Sequence, residues 1–399
     1  MSFLSPPLST IPINTNLSFK PTTKFQVVTG WLKGGDRNTR FFHQQASQRR
    51  RRNFISELQD DQGTAHSGDE AVGSLFVNYF TNLFQTSTPT DFSTVLQGIE
   101  PVITTEMNSQ LTRPFMRQEV DNAIKQMGPL KAPGPDGMSP IFYQTFWDSI
   151  GTDVSSAVLS CLNSGSILKS INHTYITLIP KNQNPTKVTD FRPISLCNVI
   201  YKILSKILTI KLKTILPKII SETQSAFVPG HLITDNILVA FETLHHMKTR
   251  HTSKDGFMAL KLDMSKAYDC VEWEFLKNVM LKIGFSTQWV SLTMECISSV
   301  SYSILVNGSP QGLLKPTRGL QQGDPLFAYF FLFCAEGLRG LLKQAANDAV
   351  IRGISLSQGG PRLTHLFFAD DSLLFCRAKR EECKTLLHIL TQYEAMSGQ

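Results

Sequence analysis

No stretch of this 399-residue sequence stays apolar for the roughly 18 to 20 residues that a membrane-spanning helix requires; the longest apolar run, Leu326 to Ala335, stops at Glu336. Cysteine is sparse as well. The seven residues, at 161, 197, 270, 296, 334, 376 and 383, are odd in number and contain no C-x-x-C pair and no neighbouring His cluster, which argues against a disulfide framework or a zinc site and for free buried thiols in a reducing compartment. The N-terminus has neither a continuous apolar core for secretion nor an Arg-rich amphipathic helix for mitochondrial import. The protein is therefore expected to be nuclear or cytoplasmic and not secreted; a plastid-type transit peptide stays open. Only 18% of residues are charged against 41% hydrophobic, so a sizeable core can form. The net charge of +7 is local: Lys24 to Glu57 holds eight basic and two acidic residues, leaving the rest of the chain at +1. Such a patch suits phosphate rather than a generally basic surface.

Residues 1–23 are rich in Ser, Thr and Pro and read as a disordered leader. Residues 24–130 read as a basic, mainly helical N-terminal extension. It includes a helix at 69–85 with apolar residues at i, i+3, i+4 spacing and a Thr- and Pro-punctuated linker over 86–116. A short helix near 119–127 leads to the turn string KAPGPDG at 131–137. From there to residue 399 helix and strand signals alternate. Helices are expected at 151–164, 198–215, 231–248, 272–283, 325–346 and 381–396, and strands at 173–180, 257–263, 301–308, 363–368 and 372–376. The class is α+β with an antiparallel sheet.

The chemistry concentrates in three carboxylates. HLFFADDSLLF places Asp370 and Asp371 at the turn of a hairpin whose strands are apolar on both faces. A solvated turn is the plain alternative, since Asp favours turns, but burying like charges is costly unless a cation neutralises them. Asp263 ends a second apolar strand, FMALKLD. Three hard carboxylates from two strand ends are what a pair of Mg²⁺ ions needs for nucleotidyl transfer, so the three are expected to converge within coordinating reach. Asp269, six residues on, reads as a cap for a helix starting near Val271.

These residues and their neighbours resemble the reverse transcriptases of plant non-LTR (LINE-type) retrotransposons, from about Trp31 to Gln399. In that family the metal ligands are one Asp of a D-x-x-K-A-[FY]-D string and two of an [FY]-A-D-D box, which fall here on Asp263, Asp370 and Asp371. ITLIPK and DFRPISL resemble segments that touch the incoming triphosphate, through Lys181 and Arg192. RGLQQGDPLFAYFF resembles R-G-x-R-Q-G-D-P-L-S-P, with Gln322 and Gly323 in its key places. KAPGPDGMSP and DRNTRFFHQQASQRRRRN resemble strings that precede the polymerase core. The resemblance implies a right-hand polymerase fold of fingers and palm, two Mg²⁺ (or Mn²⁺), dNTPs, an RNA template, a DNA primer and other retroelement polypeptides as partners. It also implies a palm that continues past Ser397-Gly398-Gln399 into a Lys-bearing strand and a thumb, so that a chain without them is expected to be a weak or inactive polymerase.

Tyr268 would put a ring under the nucleotide sugar and select against a 2′-hydroxyl, or is a core Tyr at a helix start. Lys181 and Arg192 are expected at loop edges, where a cation reaches phosphate. Arg37, Arg40 and Arg49 to Arg52 are candidates for nucleic-acid contact; on a helix the last four would spread around it. Two departures stand out: Gln321 where the family has Arg, expected to weaken substrate or template contact, and Phe327-Ala328 where it has Ser-Pro. An inactive remnant that only binds nucleic acid and a metal-dependent nuclease are the rival readings.

Overall fold

The computed structural model describes residues 40–249, 256–357 and 359–399. The 1–23 leader and Arg37 lie outside them. Contacts divide the chain into two units, Met1–Phe54 and Ile55–Gln399. In the first, Arg40–Arg52 forms a helix, α1, whose last turn is Arg49, Arg50, Arg51 and Arg52, where cations complement the negative end of the helix dipole.

In the second unit α2 (Asp69–Leu83) opens with Asp69 and Glu70, at the end where acids are favoured. A mixed four-stranded sheet follows from β1 (His173–Pro180) and β2 (Phe191–Cys197), then α3 (Val199–Lys213) and α4 (Ile233–Thr249). The remaining labelled elements are β3 (Phe257–Asp263), α5 (Trp273–Ile283), β4 (Ser301–Val306), β5 (Ser309–Leu314), α6 (Phe327–Asn347), β6 (His365–Phe368), β7 (Asp371–Arg377) and α7 (Arg380–Ser397). The first sheet runs β2-β1-β4-β5, with β1 parallel to β4 and the other pairs antiparallel. The second runs β6-β7-β3, antiparallel throughout. Sheet and helices mixed in this way give the expected α+β class.

Each sheet has its own cover. Phe76 and Phe80 of α2 pack with Ile176, Tyr302 and Ile304 over the four-stranded sheet. The helix α6 is apolar on every side over its first half, Phe327 to Ala335, and buried along most of its length, as a helix at the centre of a core must be. At Gly340 its backbone touches that of Gly98, so closely that a Cβ on Gly98 would lie 2.5 Å from the Gly340 carbonyl carbon. One face of the three-stranded sheet joins this core through Leu374, Cys376 and Phe367. Leu366, Phe375, Phe257 and Ala259 form a smaller cluster with Ala240 and Met247 of α4.

Expected and observed elements agree closely for β1 and β3 and for most helices, whereas β2, β5 and a helix at Thr287–Ser298 were not expected. The expected linker holds two helices, Ser93–Gln97 and Thr105–Thr112. The seven cysteines are free, five buried and two half-buried. Among the described residues no helix is long and apolar enough to cross a membrane.

Candidate active site

Asp263 closes β3 and Asp371 opens β7, and the two are register partners. Partners in an antiparallel pair stand on one face with Cα atoms about 4.5 to 5.5 Å apart, which brings the two exposed carboxylates together. Phe368 pairs with Asp371, so Ala369 and Asp370 make a two-residue turn, with Ala369 at φ +52°. A residue with a Cβ is strained there. The turn is held by Gln224, a buried side chain whose Oε1 accepts from the Ala369 N–H at 3.1 Å and the Ala226 N–H at 3.0 Å. Asp370 follows, half-buried. Burial, and less so the Asp370 charge, pushes the Tyr268 hydroxyl up to about 12. Its ring stacks on Phe331 of α6, centroids 4.9 Å apart, so Tyr268 lines the core edge as well as the site.

The donors are hard oxygens of the kind a divalent cation takes, and Asp263 and Asp371 share a face. Register brings Asp263 and Asp371 together; among the described residues no group of three or more His, Cys, Asp or Glu is gathered for a metal ion. Asp370 sits in the turn before β7, and Lys261 Nζ holds Asp371 Oδ1 at 3.1 Å. That ion pair, with Asp263 adding to it, pushes the Lys261 ammonium up. Replacing Lys261 with Gln is expected to tighten divalent-cation binding a few-fold by freeing Asp371, as isothermal titration with Mg²⁺ would register; weaker binding would show Lys261 to be supportive instead.

The RGLQQGD loop is stapled to the turn after Asp263. Gly319 N–H donates to Val271 O and Leu320 N–H to Tyr268 O, both at 2.8 Å. Trp273 Nε1 donates to Gly319 O at 2.8 Å. On its other side the loop meets the outer edge of β2, where Ser195 N–H donates to Gln322 O at 3.0 Å. Gly323, at φ +108°, is exposed. Gln322 Nε2 donates to Asp269 Oδ1 at 2.9 Å. Asp269 therefore does not cap a helix, since α5 starts at Trp273 with Glu272 before it. Its carboxyl is buried, and burial pushes it up to about 6 against the Gln322 hydrogen bond and the Lys266 and Lys181 charges.

Lys181 is exposed, with Nζ donating to Thr189 O at 2.9 Å, and its charge reaches Asp269. Arg192 is exposed but not at a loop edge: it lies within β2, paired with Ile179. Gln321 does not face a substrate. It is buried, its Nε2 donating to Asn172 Oδ1 at 3.3 Å and its Oε1 accepting from Cys197 Sγ at 3.3 Å, so the departure from Arg falls in the interior. Phe327 is likewise buried at the start of α6. Arg40 and Arg49 to Arg52 belong to the other unit. Gln224 and Asp269 are the two site residues that sequence reasoning missed in role; a Gln in a polar loop and an Asp in a turn carry no local signal of burial.

Residues 179–398, which span β1's end through α7 and hold Asp263, Asp269, Asp370, Asp371 and the Gln322 loop, match the family profile described as reverse transcriptase (RNA-dependent DNA polymerase). The chain belongs to the reverse transcriptase family. Its relatives include proteins of transposable elements. The transposon TX1 uncharacterized 149 kDa protein of Xenopus laevis is 27% identical over 88% of this chain and 26% of its own length. The retrovirus-related Pol polyprotein from type-2 retrotransposable element R2DM of Drosophila melanogaster is 25% identical over 65% of this chain and 23% of its own length. An uncharacterized mitochondrial protein of Arabidopsis thaliana, AtMg01250, is 50% identical over 17% of this chain and 56% of its own length. This reverse transcriptase family member thus spans about a quarter of the two transposon proteins.

Proposed function

We propose that the chain acts as an RNA-directed DNA polymerase of a LINE-type retrotransposon, built as the fingers and palm of a right hand and adding dNTPs to a DNA primer on an RNA template. The observation that carries the reading is the register pairing of Asp263 with Asp371 beside the Asp370 turn, inside the family match. Asp263, Asp370 and Asp371 would hold the divalent cation, Mg²⁺ or Mn²⁺. When bound, such ions activate a hydroxyl nucleophile and stabilise a leaving pyrophosphate. Around them Lys181 and Arg192 supply cations for the triphosphate, Tyr268 a ring for the sugar, and the Gln322-Gly323 segment a floor free of side-chain bulk at Gly323. Primer extension by purified protein on an RNA template separates the rivals by product length. Longer primers are expected. Unchanged primers would indicate a nucleic-acid binder, and shortened ones a nuclease.

The basic helix α1 is proposed to grip the phosphate backbone. Replacing Arg49 to Arg52 with Gln is expected to weaken RNA and DNA binding alike and to flatten the dependence of log affinity on log salt by up to about four phosphate contacts' worth of slope. An unchanged slope in a salt titration would count against that role.

A further inference from the structure

Gln322 is anchored twice, and only one of the anchors decides what it shows to a ligand. Its carbonyl, accepting from Ser195 N–H, fixes the main chain against β2. Its side chain is fixed by Asp269, which is 5% exposed and accepts from Nε2 at 2.9 Å. A carboxylate has no proton to give and can only accept. The amide must therefore turn its NH₂ to Asp269 and its oxygen the other way. Gln322 itself is half-buried, and its Oε1 has no hydrogen-bond partner among the described residues. Nothing else on the loop competes for the choice. The backbone donors of Gly319 and Leu320 are spent on Val271 and Tyr268, and Gln321 points into the interior between Asn172 and Cys197.

We propose that Asp269 is a positioning residue that orients the Gln322 amide, so that a hydrogen-bond acceptor and not a donor faces the incoming nucleotide and receives one of its donor groups. The inference rests on the polymerase reading and deepens it. With Asp269 neutral, the acid can donate to Oε1 and the amide can turn its NH₂ outward, reversing what the substrate meets. The groups facing Asp269 are Lys266 in the same turn, Lys181 from the end of β1, the neighbouring Cys270 thiol and the Tyr302 hydroxyl of β4. Burial pushes the thiol and the phenol upward, away from the acid range in which Asp269, near 6, changes charge. Its carboxylate form, and with it the selected orientation, is present above about pH 6 and is lost below.

The test is a mutant cycle in steady-state primer extension with the full chain. Asp269→Asn offers Gln322 either an oxygen or an NH₂ and so removes the choice. The KM for dNTP is expected to rise by up to about tenfold, the worth of one hydrogen bond from the nucleotide, with kcat changed much less. Gln322→Ala should raise KM as much, and adding Asp269→Asn to it should change nothing further. Losses that multiply across the two sites would overturn the proposal, because a merely structural Asp269 acts whether or not Gln322 is present. Should Asp269→Asn not fold, the pH profile of KM decides: wild type is expected to lose affinity below about pH 6 and Gln322→Met to show no such step. The same step in Gln322→Met would overturn it. A wild-type chain that extends no primer would remove the polymerase reading and this inference together, whereas extension with multiplying losses would remove the inference alone.

Discussion

Asp370→Asn and Asp263→Asn will each abolish primer extension while leaving the fold intact. Both replacements keep the side chain's size and remove its charge. The polymerase reading asks these carboxylates to bind the cations that stabilise charge in the transition state, an effect worth several kcal/mol, so a loss of at least ~10³-fold in rate is expected. Asp371→Asn should cost less, because Lys261 already shares that carboxylate. Circular dichroism and melting temperature should stay near wild type, since Asp263 is exposed and Asp370 half-buried. Extension by Asp263→Asn at more than a tenth of the wild-type rate would remove it from the metal set.

Gly319→Ala will be the more damaging change to stability. Gly319 sits at φ +91°, and a Cβ there would lie 2.5 Å from the Asp269 carbonyl oxygen and 3.2 Å from Phe84 Cδ1. The oxygen is main chain and cannot step aside without moving the turn. The backbone conformation costs about 1 to 3 kcal/mol for a residue with a side chain, and the overlap about 1 to 3 kcal/mol more, for a loss of about 2 to 6 kcal/mol in denaturant unfolding. Moving the loop also parts Gln322 from Asp269, and misplacement by about 1 Å can cost ~10²-fold in rate. A variant that melts with wild type would show that the loop is not held as described.

Much of the site could be read because its supports have simple periodicity. FMALKLD and the hairpin strands are short apolar runs ended by acids, and β3 falls on 257–263 as expected. The edge strand β2 could not be read that way. Pro193 breaks the pattern, yet Pro is tolerated at an edge, and β2 has a single strand neighbour, β1. Its free side then takes the Gln322 loop. The helix α4 was legible as a helix but not in its orientation: Thr243 is fully buried, its hydroxyl donating to Val239 O at 2.6 Å, while Phe241 is 63% exposed. Asp269 was misread because its burial depends on a loop some fifty residues later in the chain, and the local Asp-before-helix pattern pointed to a cap. Gln224 shows the same limit from the other side, since the turn it holds belongs to a hairpin about 145 residues away.

The most direct measurement of the central claim is single-nucleotide incorporation on four RNA templates that differ only in the first unpaired base, each offered the four dNTPs one at a time with Mg²⁺. The account predicts a one-nucleotide DNA product with the complementary dNTP on every template, none without the cation and none with Asp370→Asn. Product that ignores the template base, or that forms equally well with Asp370→Asn, would contradict it.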